Sequence, residues 1–264
     1  MTFKPLLFFF FSISIFAQKP DEEAFNKLNQ SAIWQLELKD KGTKNWESNW
    51  FLDGHFAQIK NTPKGMIFNA GSEERNDAHH AVLWTKKSFK GDLKIEYQFT
   101  RTDEKTTWAC ILYLQATGID ISPYDADISK WNKLREIPAM KTYFNNMKAL
   151  HISYASFDNY NTDKNKDYIR VRQYPVEKGQ NFNTTTEIPS PYFETGLFKT
   201  GETYKIIIIK TTERIYFKVT GKNISKLFFW DLSNSKLLDE GRIGLRQMFS
   251  RSAIYKNFTV YTRK

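Results

Sequence analysis

Two stretches near the middle of the chain alternate apolar and polar residues with a period of two. In LHISYAS (150–156), Leu150, Ile152 and Tyr154 fall on one face and His151, Ser153 and Ala155 on the other. In YIRVR (168–172), Ile169 and Val171 oppose Tyr168, Arg170 and Arg172. The pattern predicts two strands, each with one face for a core and one for solvent or a ligand. The same period recurs elsewhere. Residues 94–99 set Ile95, Tyr97 and Phe99 against Lys94, Glu96 and Gln98, and residues 80–84 set Ala81 and Leu83 against His80, Val82 and Trp84. In 108–116, a core set of Cys110, Leu112 and Leu114 leaves Tyr113 and Gln115 on the other face. The run YKIIIIK (204–210) reads as a fully buried strand with 215–219 as its hairpin partner. Residues 241–248 and 254–261 close the series, with Ile243 and Leu245 inward and Arg242 and Arg246 outward.

Further short strands are expected in 34–38, 50–71 and 227–230, with turns at Asp53-Gly54 and Pro63-Lys64-Gly65. Only 21–30 reads as a helix. Many short strands with almost no helical period indicate an all-β fold, an antiparallel β-sandwich of the jelly-roll kind. Residues 118–147 and 174–199 lose the alternation and are expected as a long loop over one sheet edge and as the opposite wall of a groove. No repeat or composition break divides the chain, so residues 18–264 read as one domain.

The N-terminus carries a lone Lys4, the apolar run 6–16 and Ala17 before a polar stretch, the pattern of an export signal over residues 1–17. The residue directly after the expected cleavage point is Gln18 and not a cysteine, so no lipid anchor is expected, and the expected destination is the periplasm or the exterior. Cys110 is the only cysteine, which excludes an internal disulfide and a thiolate metal cluster. Without Lys4 the chain has 38 basic and 29 acidic residues, a net of +9. Outside the cytoplasm that balance points to an acidic polysaccharide rather than nucleic acid.

Several catalytic patterns are missing. The paired carboxylates that glycoside hydrolases of this architecture use do not occur at their spacing, nor does a nucleophile elbow, a zinc helix or a phosphate loop. Asp120, Asp125 and Asp127 lack the spacing of a calcium loop and read as turn acids, so neither metal nor cofactor is expected. Elimination from a uronic acid asks for other parts: a cation to neutralise the carboxylate, a base for the C5 proton and an acid for the oxygen leaving C4. His151, with His80 and Tyr255 as partners and Arg246 on the carboxylate, can supply them. Arg170, Arg172, Gln115, Tyr113 and Tyr168 would line the groove, and Trp84 would serve as a sugar platform or as core. Solvated strand faces are the plain alternative for all of these.

The stretches HHAVLWTKKSF, ILYLQATG, MKALHISYASF, YIRVRQYP and GRIGLRQMFSRSAIYKNFTVY together resemble the concanavalin-like jelly-roll family catalogued as domain of unknown function 1961. Its members occur in bacterial loci for rhamnogalacturonan and marine-algal polysaccharides, and the resemblance spans nearly all of the chain after the signal. Within that family the wording is similar to the oligosaccharide dehydratases of ulvan-degrading loci. The resemblance implies β-elimination on an acidic oligosaccharide, losing water (a dehydratase) or a sugar (a lyase). A non-catalytic carbohydrate-binding module and a glycoside hydrolase of the same fold are the alternatives.

Overall fold

The computed structural model describes residues 14–263, so the expected export signal at 1–17 lies mostly outside the described residues. Helix α1 (Ser14–Asn29) belongs to an N-terminal unit and takes in most of the helix expected over 21–30. The second unit, Ile33–Lys264, is the β body. Its strands are β1 (Trp34–Asp40), β2 (Trp50–Asp53), β3 (Gln58–Thr62), β4 (Gly65–Asn69), β5 (Ala81–Thr85), β6 (Phe89–Lys90), β7 (Leu93–Arg101) and β8 (Trp108–Gly118). There follow β9 (Met147–Phe157), β10 (Tyr168–Tyr174), β11 (Glu187–Phe193), β12 (Thr203–Lys210), β13 (Arg214–Thr220), β14 (Ser225–Asp231), β15 (Glu240–Gln247) and β16 (Ser252–Arg263).

These strands build two antiparallel sheets. The back sheet has the order β14-β13-β12-β7-β16-β4-β3, with β1 also on β16, and the front sheet has the order β11-β10-β9-β8-β15-β5-β2, with β6 on β15. The architecture is the jelly-roll sandwich that the alternation predicts. Leu150, Ile152, Tyr154, Ile169 and Val171 of the front sheet meet Ile95, Tyr97, Phe99, Ile206 and Ile208 of the back sheet in one core. Each isoleucine buried there contributes roughly 1.5–3 kcal/mol.

Two segments depart from expectation. Residues 118–147 are not a plain loop over an edge. They contain a 3-10 helix (Ile128–Arg135) and α2 (Met140–Asn146), and they lie on the outer face of the front sheet, where Ile128, Trp131 and Tyr143 pack on Val82, Trp84, Ile111 and Tyr113. A buried ion pair fixes this cap: Arg135 Nε donates to Asp53 Oδ2 at 2.6 Å, and the same oxygen accepts from Tyr143 Oη at 2.8 Å and Trp84 Nε1 at 2.7 Å. The run 174–199 contains the edge strand β11, whose sequence EIPSPYF hides it. Proline cannot donate to a ladder, and Pro189 and Pro191 are tolerated because β11 has β10 on one side only.

Candidate functional site

Strand register turns the sequence pattern into rows across the outer face of the front sheet. One row runs Trp84, Gly244, Tyr113, His151, Arg172 and Glu187, each paired with the next. The neighbouring row runs Val82, Arg246, Ile111, Ser153 and Arg170. At the β5-β15-β8 side these rows lie under the cap. At the β9-β10 side they form a groove of about 690 Å³ lined by His151, Ser153, Tyr168, Arg170, Arg172 and Tyr160, with Met140 of α2 among its walls. A larger cavity of about 800 Å³ between Phe157, Asp167 and Phe198 contains no imidazole, and its Arg101 is committed to Asp103 at 2.9 Å.

His151 is the centre of the groove wall. Its Nδ1 lies 2.5 Å from the Tyr174 hydroxyl and its Nε2 lies 2.7 Å from Ser153 Oγ. In the tautomer with the proton on Nδ1, that nitrogen donates to the phenol and the Nε2 lone pair points to Ser153 and the groove. Burial, then the charges of Arg172, Arg246 and Arg170, hold the imidazole pKa well below its ordinary value. The ring is therefore neutral at pH 7, whereas an unperturbed imidazole titrates near neutrality. Tyr168 borders the same groove, and burial raises its phenol pKa, so it keeps its proton.

The arginines differ. Arg170 lies over the Tyr168 ring at 4.7 Å and has its Nε 2.8 Å from Glu187 Oε2, although the N–H is not aimed at that oxygen. Arg172 is largely committed to the turn before β11. Its Nη1 donates to the carbonyls of Phe182 and Asn183 and, at 2.9 Å, to Thr186 Oγ1. Arg246 is fully buried beneath the cap, over the Tyr143 ring at 4.7 Å, with Nη2 donating to the Pro138 carbonyl at 2.6 Å while Nε and Nη1 have no hydrogen-bond partner. It acts on the groove through its charge.

Besides Arg246, five expected site residues form no part of the groove lining. Tyr255 projects from the back sheet into the core, where its hydroxyl meets Tyr154 and Gln247, because the inward set of β16 includes Ala253, Tyr255 and Val260. His80 is locked by its neighbours: Phe249 N–H donates to Nδ1 at 3.1 Å, which leaves the proton on Nε2, 3.3 Å from Asp77. Gln115 sits at the β8 bulge with φ of 49°, and its amide donates to the Gly91 carbonyl, away from the groove. Trp84 is no platform, since it is buried under the cap and stacked on Tyr113 at 5.2 Å. Gly244 makes room for that indole, because a Cβ there would lie 2.5 Å from the Trp84 ring. Tyr113 is itself buried, edge-on to His151 at 5.6 Å, and supports the imidazole from behind.

Ser153, Tyr174 and Glu187, which partner His151 and Arg170, are additions to the expected set. Ser153 shares the alternating face with His151 and had that signal, whereas Glu187 lay within the apparent loop. Asp125 and Asp127 serve the cap. Asp127 caps the 3-10 helix through Ser129 N–H and pairs with Arg242 at 2.9 Å, and Asp125 pairs with Lys130.

Comparisons with known proteins agree with this architecture. The uncharacterized protein YesU of Bacillus subtilis (strain 168) is 23% identical over 192 residues, covering 70% of this chain and 78% of that protein. A crystal structure of a protein of unknown function with a galectin-like fold, also from Bacillus subtilis, superposes with a TM-score of 0.62 at 19% identity, covering 88% of this chain and 100% of the other. The legume lectin-like domain from Entamoeba histolytica superposes with a TM-score of 0.53 at 10% identity, covering 86% and 97%. These likenesses carry the fold. The model of the domain of unknown function DUF1961 matches residues 41–260, and the chain belongs to that family.

Proposed function

We propose that the protein catalyses β-elimination on a uronic-acid unit of an acidic, ulvan-type oligosaccharide, releasing water or a sugar from C4. The observation that carries this reading is a neutral imidazole on a groove wall directly beside guanidinium groups. Arg170 binds the substrate carboxylate and so makes the C5 proton removable. The incoming carboxylate also offsets the arginine charges that depress His151, which raises the basicity of the imidazole when substrate is bound. His151 takes the C5 proton, the electrons of that bond form the C4–C5 double bond, and the C4–O bond breaks. The departing oxygen takes the proton of Tyr168, and solvent returns a proton from His151 to Tyr168. Arg246 and Tyr174 hold the imidazole in its charge state and orientation.

The +9 balance and the N-terminal apolar run support an exported protein that meets polyanions. Among the described residues no helix is long and apolar enough to cross a membrane. Incubation with ulvan- or pectin-derived oligosaccharides tests the activity: ultraviolet absorbance reports an unsaturated uronate, and the product mass separates loss of water from loss of a sugar. New reducing ends without absorbance would mean hydrolysis instead.

One observation favours a second reading, a carbohydrate-binding module without catalysis. His151 is 3% exposed and both its ring nitrogens have partners within the fold. Retention of the oligosaccharide without any product would select it.

A further inference from the structure

The groove continues past the imidazole to a tyrosine that the core does not use. Tyr160 lies in the β9-β10 connection, lines the groove together with Asp158 and Asn159, and is 78% exposed. A large aromatic ring that open to water contributes little to folding, yet this one is held in place. The Arg75 guanidinium lies 4.5 Å from the ring centroid and Nη1 donates to the Tyr160 hydroxyl at 3.0 Å. Arg75 is itself steadied by Trp108, 5.7 Å from that ring. Two residues 85 positions apart thus form a plate, with the guanidinium against the ring and most of the ring open to solvent.

The charge beside the plate is available. The acids next to Arg75 are occupied elsewhere, Glu74 with Lys105 at 2.8 Å and Glu73 with His79 at 3.2 Å. Strand rise places the plate well away from His151. Ser153 and Phe157 flank a bulge in β9 and pair with Ile111 and Trp108, three residues apart on β8, so they are separated by roughly 10 Å along the sheet at ~3.3 Å per residue, and Tyr160 follows in the connection after Phe157. A ligand that reaches both places must be longer than the unit bound at His151.

We propose that Tyr160 and Arg75 form an outer subsite for a second pyranose ring bearing an anionic substituent, carboxylate or sulfate ester. The ring stacks its apolar C–H face on the phenol, and the anion meets the guanidinium. This rests on the acidic-oligosaccharide reading of the groove, but it concerns binding and does not require the elimination step. It makes the protein selective for chain length.

Isothermal titration of wild type, Tyr160→Ala and Arg75→Gln with acidic disaccharides and tetrasaccharides, sulfated and desulfated, tests the subsite. Wild type should bind the tetrasaccharide more tightly than the disaccharide. Tyr160→Ala should weaken tetrasaccharide binding about tenfold and leave the disaccharide within about twofold. Arg75→Gln should reduce the salt dependence of tetrasaccharide binding. If only the sulfated tetrasaccharide responds to Arg75→Gln, the anion is a sulfate ester; if both respond, it is a carboxylate. Equal wild-type affinity for the two lengths, an unchanged Tyr160→Ala variant, or no binding of either sugar would overturn the proposal. Length-selective binding that depends on Tyr160, without any unsaturated product, would leave the subsite standing while the elimination chemistry failed.

Discussion

Arg172 stands directly opposite His151 across β9 and β10, so the fold sets a guanidinium beside an imidazole that is almost closed to water. Desolvation and the arginine charges act in the same direction on that ring, and both disfavour its protonated form. A neutral base is thereby maintained at pH values where a free histidine would be partly charged.

Removing one of those charges should be visible. Arg170→Gln takes away a cation that depresses His151 but spares the hydrogen bonds that Arg172 makes to the 182–186 turn. The imidazole titration of His151, followed by NMR, should move upward in the variant relative to wild type, and the acid limb of any rate–pH profile should move with it. An unmoved midpoint would mean that the Arg170 charge has no part in setting the charge state and that burial with Arg172 and Arg246 sets it.

The cap depends on Asp53. Its two oxygens accept from Arg135, Trp84, Tyr143 and Asn132, all within 2.6–2.8 Å. Asp53→Ala would leave the fully buried Arg135 without its carboxylate, and breaking such a pair costs roughly 3–5 kcal/mol. Denaturant unfolding should show that loss. Hydrogen exchange should localise it to residues 118–147, and a variant as stable as wild type would remove the ion pair from the account.

His80 predicts a pH dependence of stability. Burial and Arg246 lower its pKa to about 4, from an ordinary 6.5, against the opposing pull of Asp77. Between those values the unfolded chain binds a proton that the folded chain refuses. The associated stability is therefore complete above pH 6.5 and is lost as the pH falls toward about 4, by roughly 3 kcal/mol in all. Asp77 stays ionised through this window, because its hydrogen bond with His80 holds it below the usual carboxylate range. His80→Gln should flatten the stability curve between pH 6.5 and 4, whereas an unchanged slope would assign the loss to other groups.

Much of the fold and part of the site were legible in the alternation. The LHISYAS and YIRVR faces predicted that His151, Tyr168, Arg170 and Arg172 share one side of the sheet, and the register places them there. Period two gives the two faces of a strand but does not say which face turns to the other sheet. The inward position of Tyr255 therefore could not be read from IYKNFTVY alone. Bulges defeat the pattern outright, as at Gln115, where φ of 49° takes the side chain off the expected face. The burial of Trp84 depends on residues 128–143 folding back over it, a long-range event with no local signature. Glu187 was hidden by two prolines in its strand, and Tyr160 by a loop whose path only the fold determines.

In the proposed mechanism His151 removes the C5 proton of a uronic acid bound in the groove. Turnover of acidic oligosaccharides by wild type and His151→Ala, read as absorbance of the unsaturated uronate with oligosaccharide affinity measured in parallel, is the decisive experiment. Wild type should form the product, and the variant should lose about a hundredfold or more in turnover with affinity little changed. Equal rates for the two proteins, or no unsaturated product from wild type on any acidic oligosaccharide that it binds, would contradict that mechanism.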